Sequence, residues 1–170
     1  MDRALYRSTL ETPVGELQIT VNHDGVVVEI LLPNRRHAKA SGEPLPPAAA
    51  RVMQAARAQL SEYFSGERRT FDLPLQAQGS SFERQVWERL LTVPYGATTS
   101  YGAIAIDLGL TNGARAVGRA NGANPIPIVI PCHRVIGSDG ELTGYGGGLP
   151  LKRALLELEG AIPPAAPRLI

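Results

Sequence analysis

The chain has 170 residues, 44% of them hydrophobic and 19% charged, with a formal net charge of +1. It is long enough to build a core in one compact domain or two small ones, and its near-neutral charge argues against a general electrostatic attraction to nucleic acid. No apolar run approaches bilayer length, and a single cysteine excludes an internal disulfide and a CxxC-type zinc motif. The start, Met1-Asp2-Arg3, lacks a signal-peptide pattern, so a cytoplasmic protein is expected.

Leu5 to Leu10, Glu16 to Val21 and Val26 to Leu32 are short runs rich in β-formers. Pro13-Val14-Gly15 and His23-Asp24-Gly25 separate them, which predicts an antiparallel meander. A proline-rich connection from Pro33 to Pro47 follows. An amphipathic helix is then expected from about Ala48 to Phe64, with Val52, Ala56, Leu60 and Phe64 on one face and Gly66 as its stop. Nothing in residues 1–78 has a catalytic look, and His23 and His37 read as surface residues of turns and loops.

Ser80-Ser81-Phe82-Glu83 has capping-box spacing and predicts a helix start. The apolar stripe runs on through Val86 and Leu90, and Pro94-Tyr95-Gly96 ends the element. Two short helical patterns come next, Ser100 to Leu108 and Thr111 to Ala123. Gly109 is placed to end the first, and Thr111 or Asn112 to cap the second. The pair reads as a helix-turn-helix. Its second helix has little bulk (Ala114, Ala116, Gly118, Ala120, Gly122, Ala123) yet carries Arg115 and Arg119. Two accounts fit: close packing against a neighbouring element, or close approach of its backbone to a nucleic-acid groove. Arg115, Arg119 and Arg134 lie in an interval without acidic residues, a small cationic island between Gly109 and Ser138.

Three prolines, Pro125, Pro127 and Pro131, exclude a regular helix and lead the chain to Cys132-His133-Arg134. Val135-Ile136, a turn at Ser138-Asp139-Gly140 and Leu142 suggest a small hairpin. Gly144-Tyr145-Gly146-Gly147-Gly148 follows as a backbone-dominated loop. A last helix is expected from about Pro150 to Glu159, closed by Gly160. A lone cysteine in an apolar run is commonly an inert core residue. Against that stand His133 as a neighbouring base, Arg134 as a charge favouring thiolate, and Glu159 as a group to orient the imidazole. The residues alone leave the choice open.

Pro131-Cys132-His133-Arg134-Val135, with Asn124-Pro125-Ile126-Pro127 before it, resembles the active-site signature of the O6-alkylguanine-DNA alkyltransferases, also called methylated-DNA–protein-cysteine methyltransferases. The match continues in order through Phe82…Arg84-Gln85-Val86-Trp87, Pro94-Tyr95-Gly96, Ser100-Tyr101, Ala114-Arg115-Ala116-Val117-Gly118, Gly144-Tyr145 and Lys152-Arg153…Glu159-Gly160. It spans essentially all of residues 80–160. Residues 1–78 are similar only in layout.

The resemblance implies an α+β fold, bordering on α/β. An N-terminal antiparallel sheet with a helix (1–78, a supporting domain) precedes a mostly helical domain with a winged helix-turn-helix-like DNA-binding motif (79–160), and 161–170 form a mobile tail. It implies stoichiometric transfer of an alkyl group from O6-alkylguanine, and by extension O4-alkylthymine, in duplex DNA to Cys132, with the base rotated out of the stack. His133 takes the thiol proton through a water, Glu159 holds the imidazole, and Tyr101 donates to the base at N3. Arg115 fills the vacated space. Thr99, Ser100, Ala116, Gly118 and Arg119 belong to the DNA-binding surface. Asn124, Pro127, Val135, Tyr145, Gly146 and Gly147 belong to the substrate pocket. Gly146 stands where many members carry a side chain. No metal and no cofactor are expected. The partner is double-stranded DNA with alkylated bases, met by a monomer, with clustering on DNA left open. The rival functions are a non-catalytic binder of alkylated bases, which would lack the cysteine, a Cys–His hydrolase, which needs repeated turnover, and a plain DNA-binding module with a structural cysteine.

Overall fold

The computed structural model describes residues 4–40 and 42–164. Of the tail expected from residue 161, residues 165–170 lie outside the described part. Alternating apolar residues make the first three strands, β1 (Leu5–Thr12), β2 (Gly15–Asn22) and β3 (Val27–Leu31), which pair as an antiparallel meander in the order β1-β2-β3. Leu17, Ile19 and Val21 of the central strand are fully buried. They face helix α1 (Pro47–Phe64), which packs on the sheet through Ala49, Met53, Ala56 and Leu60. The outer edge of β3 is extended by residues 74–76, where Val27 N–H donates to Pro74 O and Gln76 N–H to Val27 O, each at 2.9 Å. No periodicity in that segment signalled a strand.

The remainder is mostly helical. Helix α2 (Ser81–Leu90) starts with the expected capping box: Glu83 N–H donates to Ser80 Oγ at 3.1 Å, and Ser80 N–H to Glu83 Oε1 at 2.8 Å. A two-residue strand, β4 (Thr99–Ser100), leads straight into α3 (Tyr101–Asp107), which Ser100 caps by accepting from Ala103 N–H at 3.0 Å. The second helix of the pair, α4 (Ala114–Gly122), begins later than the sequence pattern suggests. Its N-cap is Gly113, without a side-chain cap, whereas Asn112 sits in the turn at φ 54°. Neither Thr111 nor Asn112 therefore caps it. Trp87 Nε1 donates to Ala120 O at 2.8 Å and ties α2 to α4.

The expected hairpin after Cys132 does not form. Val135–Ile136 (β5) instead pairs in parallel with β4, Thr99 opposite Val135 and Ser100 opposite Ile136. The turn at 138–140 closes on itself through Gly137 N–H to Glu141 O at 2.9 Å, and Leu142 joins no strand. Helix α5 (Leu149–Leu158) closes the described fold, with Leu151, Leu155 and Leu156 buried and Glu159 as its C-cap. No helix of the described residues is long and apolar enough to cross a membrane.

Candidate active site

Backbone geometry between α4 and α5 presents Cys132. Asn124, just past α4, organises this connection: its Oδ1 accepts from Ile126 N–H at 3.0 Å and its Nδ2 donates to Ile130 O at 2.8 Å. Ile128 is held at φ 75°, a conformation costly for a β-branched residue, by the buried packing around it. Pro131 (φ −81°, ψ 66°) forms an inverse γ-turn, closed by Cys132 N–H to Ile130 O at 2.8 Å. A single 3-10 turn over Cys132–Arg134 follows. That turn matters chemically, because adjacent side chains of an extended chain would point apart.

The turn buries Cys132, His133 and Arg134 together, with His133 fully enclosed. Glu159, from the end of α5, takes four donors. His133 Nε2 lies 2.7 Å from Oε2, Arg134 Nε and Nη2 bond Oε1 and Oε2 at 2.8 and 3.0 Å, and Tyr63 OH donates to Oε2 at 2.7 Å. Although burial opposes its charge, these donors hold the Glu159 carboxyl down to about 2. It is therefore a carboxylate that can only accept, so the hydrogen of the neutral imidazole sits on Nε2. His133 Nδ1 is left with its lone pair, buried and without a partner among the described residues. Burial also lowers the basicity of His133, against the pull of Glu159, which keeps it neutral.

Burial pushes the Cys132 thiol up, and the Asn124 and Tyr145 side chains and the Lys152 charge oppose that only in part. Burial therefore favours the thiol over the thiolate. The charge facing it comes from Lys152, not from Arg134 as the sequence suggested. Arg134 is paired with Glu159 and donates to Val93 O at 2.7 Å. This also removes Arg134 from the cationic island, leaving Arg115 and Arg119 exposed on α4.

Cys132 opens onto a cleft of about 630 Å³ whose walls include Tyr101, Gly118, Asn124, Pro127, Tyr145 and Gly146. Seven of the sequence-named residues, Cys132 among them, thus meet at one cavity. Val135 and Gly147 do not line it: Val135 is buried in the β4–β5 pair, and Gly147 packs near Leu32, Tyr145 and Leu151. At Gly147 the approach is close: a Cβ there would stand 2.6 Å from Leu151 and 2.8 Å from Leu32. Thr99, Ser100, Arg115, Ala116 and Arg119 lie outside the cleft. Ala116 and Arg119 border a shallow depression with Phe82 and Glu83, next to the start of α2.

Comparison with known proteins bears on this arrangement. A family model described as "6-O-methylguanine DNA methyltransferase, ribonuclease-like domain" matches residues 5–77, and the family's DNA binding domain matches residues 81–161. The chain belongs to the 6-O-methylguanine DNA methyltransferase family. Among its relatives, the methylated-DNA–protein-cysteine methyltransferase of Mycobacterium tuberculosis is 45% identical over 95% of this chain and 96% of that protein. The protein of the same name from Methanosarcina barkeri is 41% identical over 91% and 97%. A solved structure of the M. tuberculosis protein in complex with DNA superposes with a TM-score of 0.78 at 45% identity, covering 89% of this chain and 91% of that one. The fold class expected from the sequence, an N-terminal antiparallel sheet followed by a helical DNA-binding region, is that of these methyltransferases.

Several residues around this methyltransferase cleft make contacts that the sequence does not announce. Lys152 is fully buried, donates from Nζ to Thr143 O at 2.8 Å, and is brought down to about 8, chiefly by burial. Asn121 donates to Cys132 O at 3.2 Å and links α4 to the Cys132 turn. Asn34 and Arg35 reach over from the end of β3: Asn34 Nδ2 donates to Gly146 O at 2.7 Å, and an Arg35 nitrogen lies 3.3 Å from where a Cβ on residue 146 would stand. Tyr63 closes the carboxylate cluster from α1. Helix-face spacing makes Tyr63 look like a core position and Lys152 a surface one, and the Lys152-Arg153 motif attaches no chemical part to Lys152.

Proposed function

We propose that the protein repairs alkylated DNA directly, moving the alkyl group from guanine O6 to the Cys132 sulfur in a single turnover. One observation carries the reading: His133, next to Cys132 in the same tight turn, is pinned through Nε2 to Glu159 while its buried Nδ1 has no partner among the described residues, and burial pushes the Cys132 thiol up. His133 takes the thiol proton through a water, the sulfur attacks the alkyl carbon, and the carbon–O6 bond breaks with its electron pair left on guanine. Tyr101, at the cleft wall, supports that charge by donating to the base at N3. Unlike an acyl thioester, the resulting thioether has no good leaving group, so the thiol is not regenerated. Asn124, Pro127, Tyr145 and Gly146 enclose the base, supported by Val135 and Gly147.

On this reading residues 1–78 support a repair domain of residues 79–160, which acts as a monomer on duplex DNA. Helix α4 enters the groove, where its lack of bulk lets the backbone close in. Arg119, with Ala116, Gly118, Thr99 and Ser100, positions the phosphates, and Arg115 occupies the space of the extruded base.

The test mixes the protein with an oligonucleotide carrying O6-methylguanine and weighs the intact protein. The expected result is one methyl group on the Cys132 peptide, saturating at one equivalent. Repeated turnover would point to a hydrolase, and binding without mass gain to a non-catalytic module. The Arg115→Ala variant separates base extrusion from chemistry. Extrusion costs a few kcal/mol, so the variant should lose roughly 10- to 100-fold in repair of duplex DNA. Its reaction with free O6-benzylguanine should stay near wild type, and an equal loss on both substrates contradicts the role of Arg115.

A further inference from the structure

Tyr63 belongs to the part of the chain that contributes no group to the reaction above, yet its hydroxyl ends inside the catalytic cluster. Its ring is fully buried in an aromatic nest, edge-on to Phe64 and Tyr95 with centroids at 5.1 and 6.3 Å, and tilted against Phe71 at 5.5 Å. Packing alone would be served by phenylalanine, because a buried hydroxyl is unfavourable unless it finds a partner. This one donates at 2.7 Å to Glu159 Oε2, the same oxygen that His133 Nε2 meets at 2.7 Å. Among the described residues, no other side-chain hydrogen bond joins residues 4–77 to the His133–Glu159 pair.

We propose that Tyr63 is a positioning residue for alkyl transfer, through which the N-terminal sheet-and-helix region sets the strength of the Glu159–His133 hydrogen bond. This rests on the reading of Cys132 as nucleophile and His133 as its base. Two donors on one carboxylate oxygen compete for its charge. With the phenol in place, Oε2 is held in one orientation and pulls less on the imidazole proton, so His133 stays neutral with Nδ1 open. Without the phenol, Oε2 gives more of its charge to His133 and stabilises the imidazolium, which cannot accept the thiol proton.

The other groups facing this cluster act on it from their own elements. Arg134 in the same turn and Lys152 on α5 both oppose protonation of His133. Tyr95 stacks beneath Arg134, with the guanidinium carbon 5.8 Å from its ring centroid, and Arg69 lies 5.3 Å from that centroid. The Cys132 thiol and the Tyr145 hydroxyl complete the set. Tyr63→Phe removes one oxygen and leaves every one of these in place.

The experiment titrates the His133 imidazole by NMR in the full chain and records the pH profile of the single-turnover reaction with free O6-benzylguanine. In Tyr63→Phe the His133 midpoint should rise by about one unit. The acid limb of the rate should move up with it, while the rate at high pH stays within about threefold. Phe71→Leu loosens the same ring packing without touching the hydroxyl, and should lower Tm with both pH readouts unmoved. Incorporating 3-fluorotyrosine at position 63 strengthens the donor without changing the packing, and should move the midpoint down. This variant decides the matter even if Tyr63→Phe folds poorly. A Tyr63→Phe protein that loses stability alone, or a Phe71→Leu protein that shifts equally, overturns the proposal. Absence of alkyl uptake in the wild type defeats the Cys132 reading instead, and the His133 titration still decides the coupling.

Discussion

Glu159→Gln should slow alkyl uptake by Cys132 by roughly 10²- to 10⁴-fold and destabilise the fold by about 3–5 kcal/mol. The shape is conserved, but the charge is not. Arg134 is buried and relies on Glu159 through two hydrogen bonds, so the amide leaves a guanidinium without a counter-ion. The amide also turns an NH₂ group toward a cluster made entirely of donors. His133 then loses the acceptor that fixes its hydrogen on Nε2, and the tautomer with Nδ1 blocked becomes accessible. Single-turnover kinetics and denaturant unfolding at pH 7 check both parts. The pH dependence carries a further signature. The Glu159 carboxyl is depressed from 4.5 to about 2 in the folded protein, so its contribution is full above the unfolded value and lost as pH falls through the folded one. The wild type should therefore weaken between about pH 5 and 2, and the variant should lack that component.

Cys132→Ser should abolish alkyl uptake, with no mass gain after prolonged incubation, while binding a methylated duplex within about threefold of wild type. A serine hydroxyl holds its proton far more tightly than a thiol, and a neutral imidazole already disfavoured as a cation cannot remove it. The fold should tolerate the change, since Cys132 is small and its backbone is fixed by Asn121 and by the γ-turn rather than by its sulfur. Gel-shift titration with an O6-methylguanine duplex, beside intact-mass measurement, separates binding from transfer. Residual methylation of the variant would mean that another side chain accepts the group.

Much of this arrangement is legible in the sequence, and the gaps have physical causes. The capping box at Ser80 and Glu83 acts within four residues, so its pattern and its geometry coincide. The meander is legible because alternation and turn residues act locally. The resemblance groups Cys132, His133 and Glu159, which the fold brings into one cluster, whereas spacing alone leaves the cysteine undecided. Arg134 was misread because its counter-ion lies 25 residues away, and nothing local distinguishes an arginine on a surface from one pinned under a carboxylate. The β4–β5 pair has two residues per strand, too few for any period to show. The helical pattern puts Tyr63 in the core and Lys152 at the surface, and only the docking of α1 and α5 near the Cys132 turn brings them to the site. The late start of α4 follows from Gly113 taking the cap, where a cap search favours side-chain acceptors.

The burial of Cys132 bears on how long each molecule stays usable. A protein spent by one reaction is lost equally by repair or by accident, and the usual accidents for a thiol are peroxide, disulfide exchange and small electrophiles. All of these act on exposed thiolate. Cys132 is 5% exposed and held in its protonated form, so it offers such reagents little to attack. On the proposed mechanism its reactivity is reserved for a ligand that fills the cleft and brings an alkyl carbon up to the sulfur. The feature that makes the thiol look inert thus works as protection in storage, keeping the stock of unspent molecules intact between lesions.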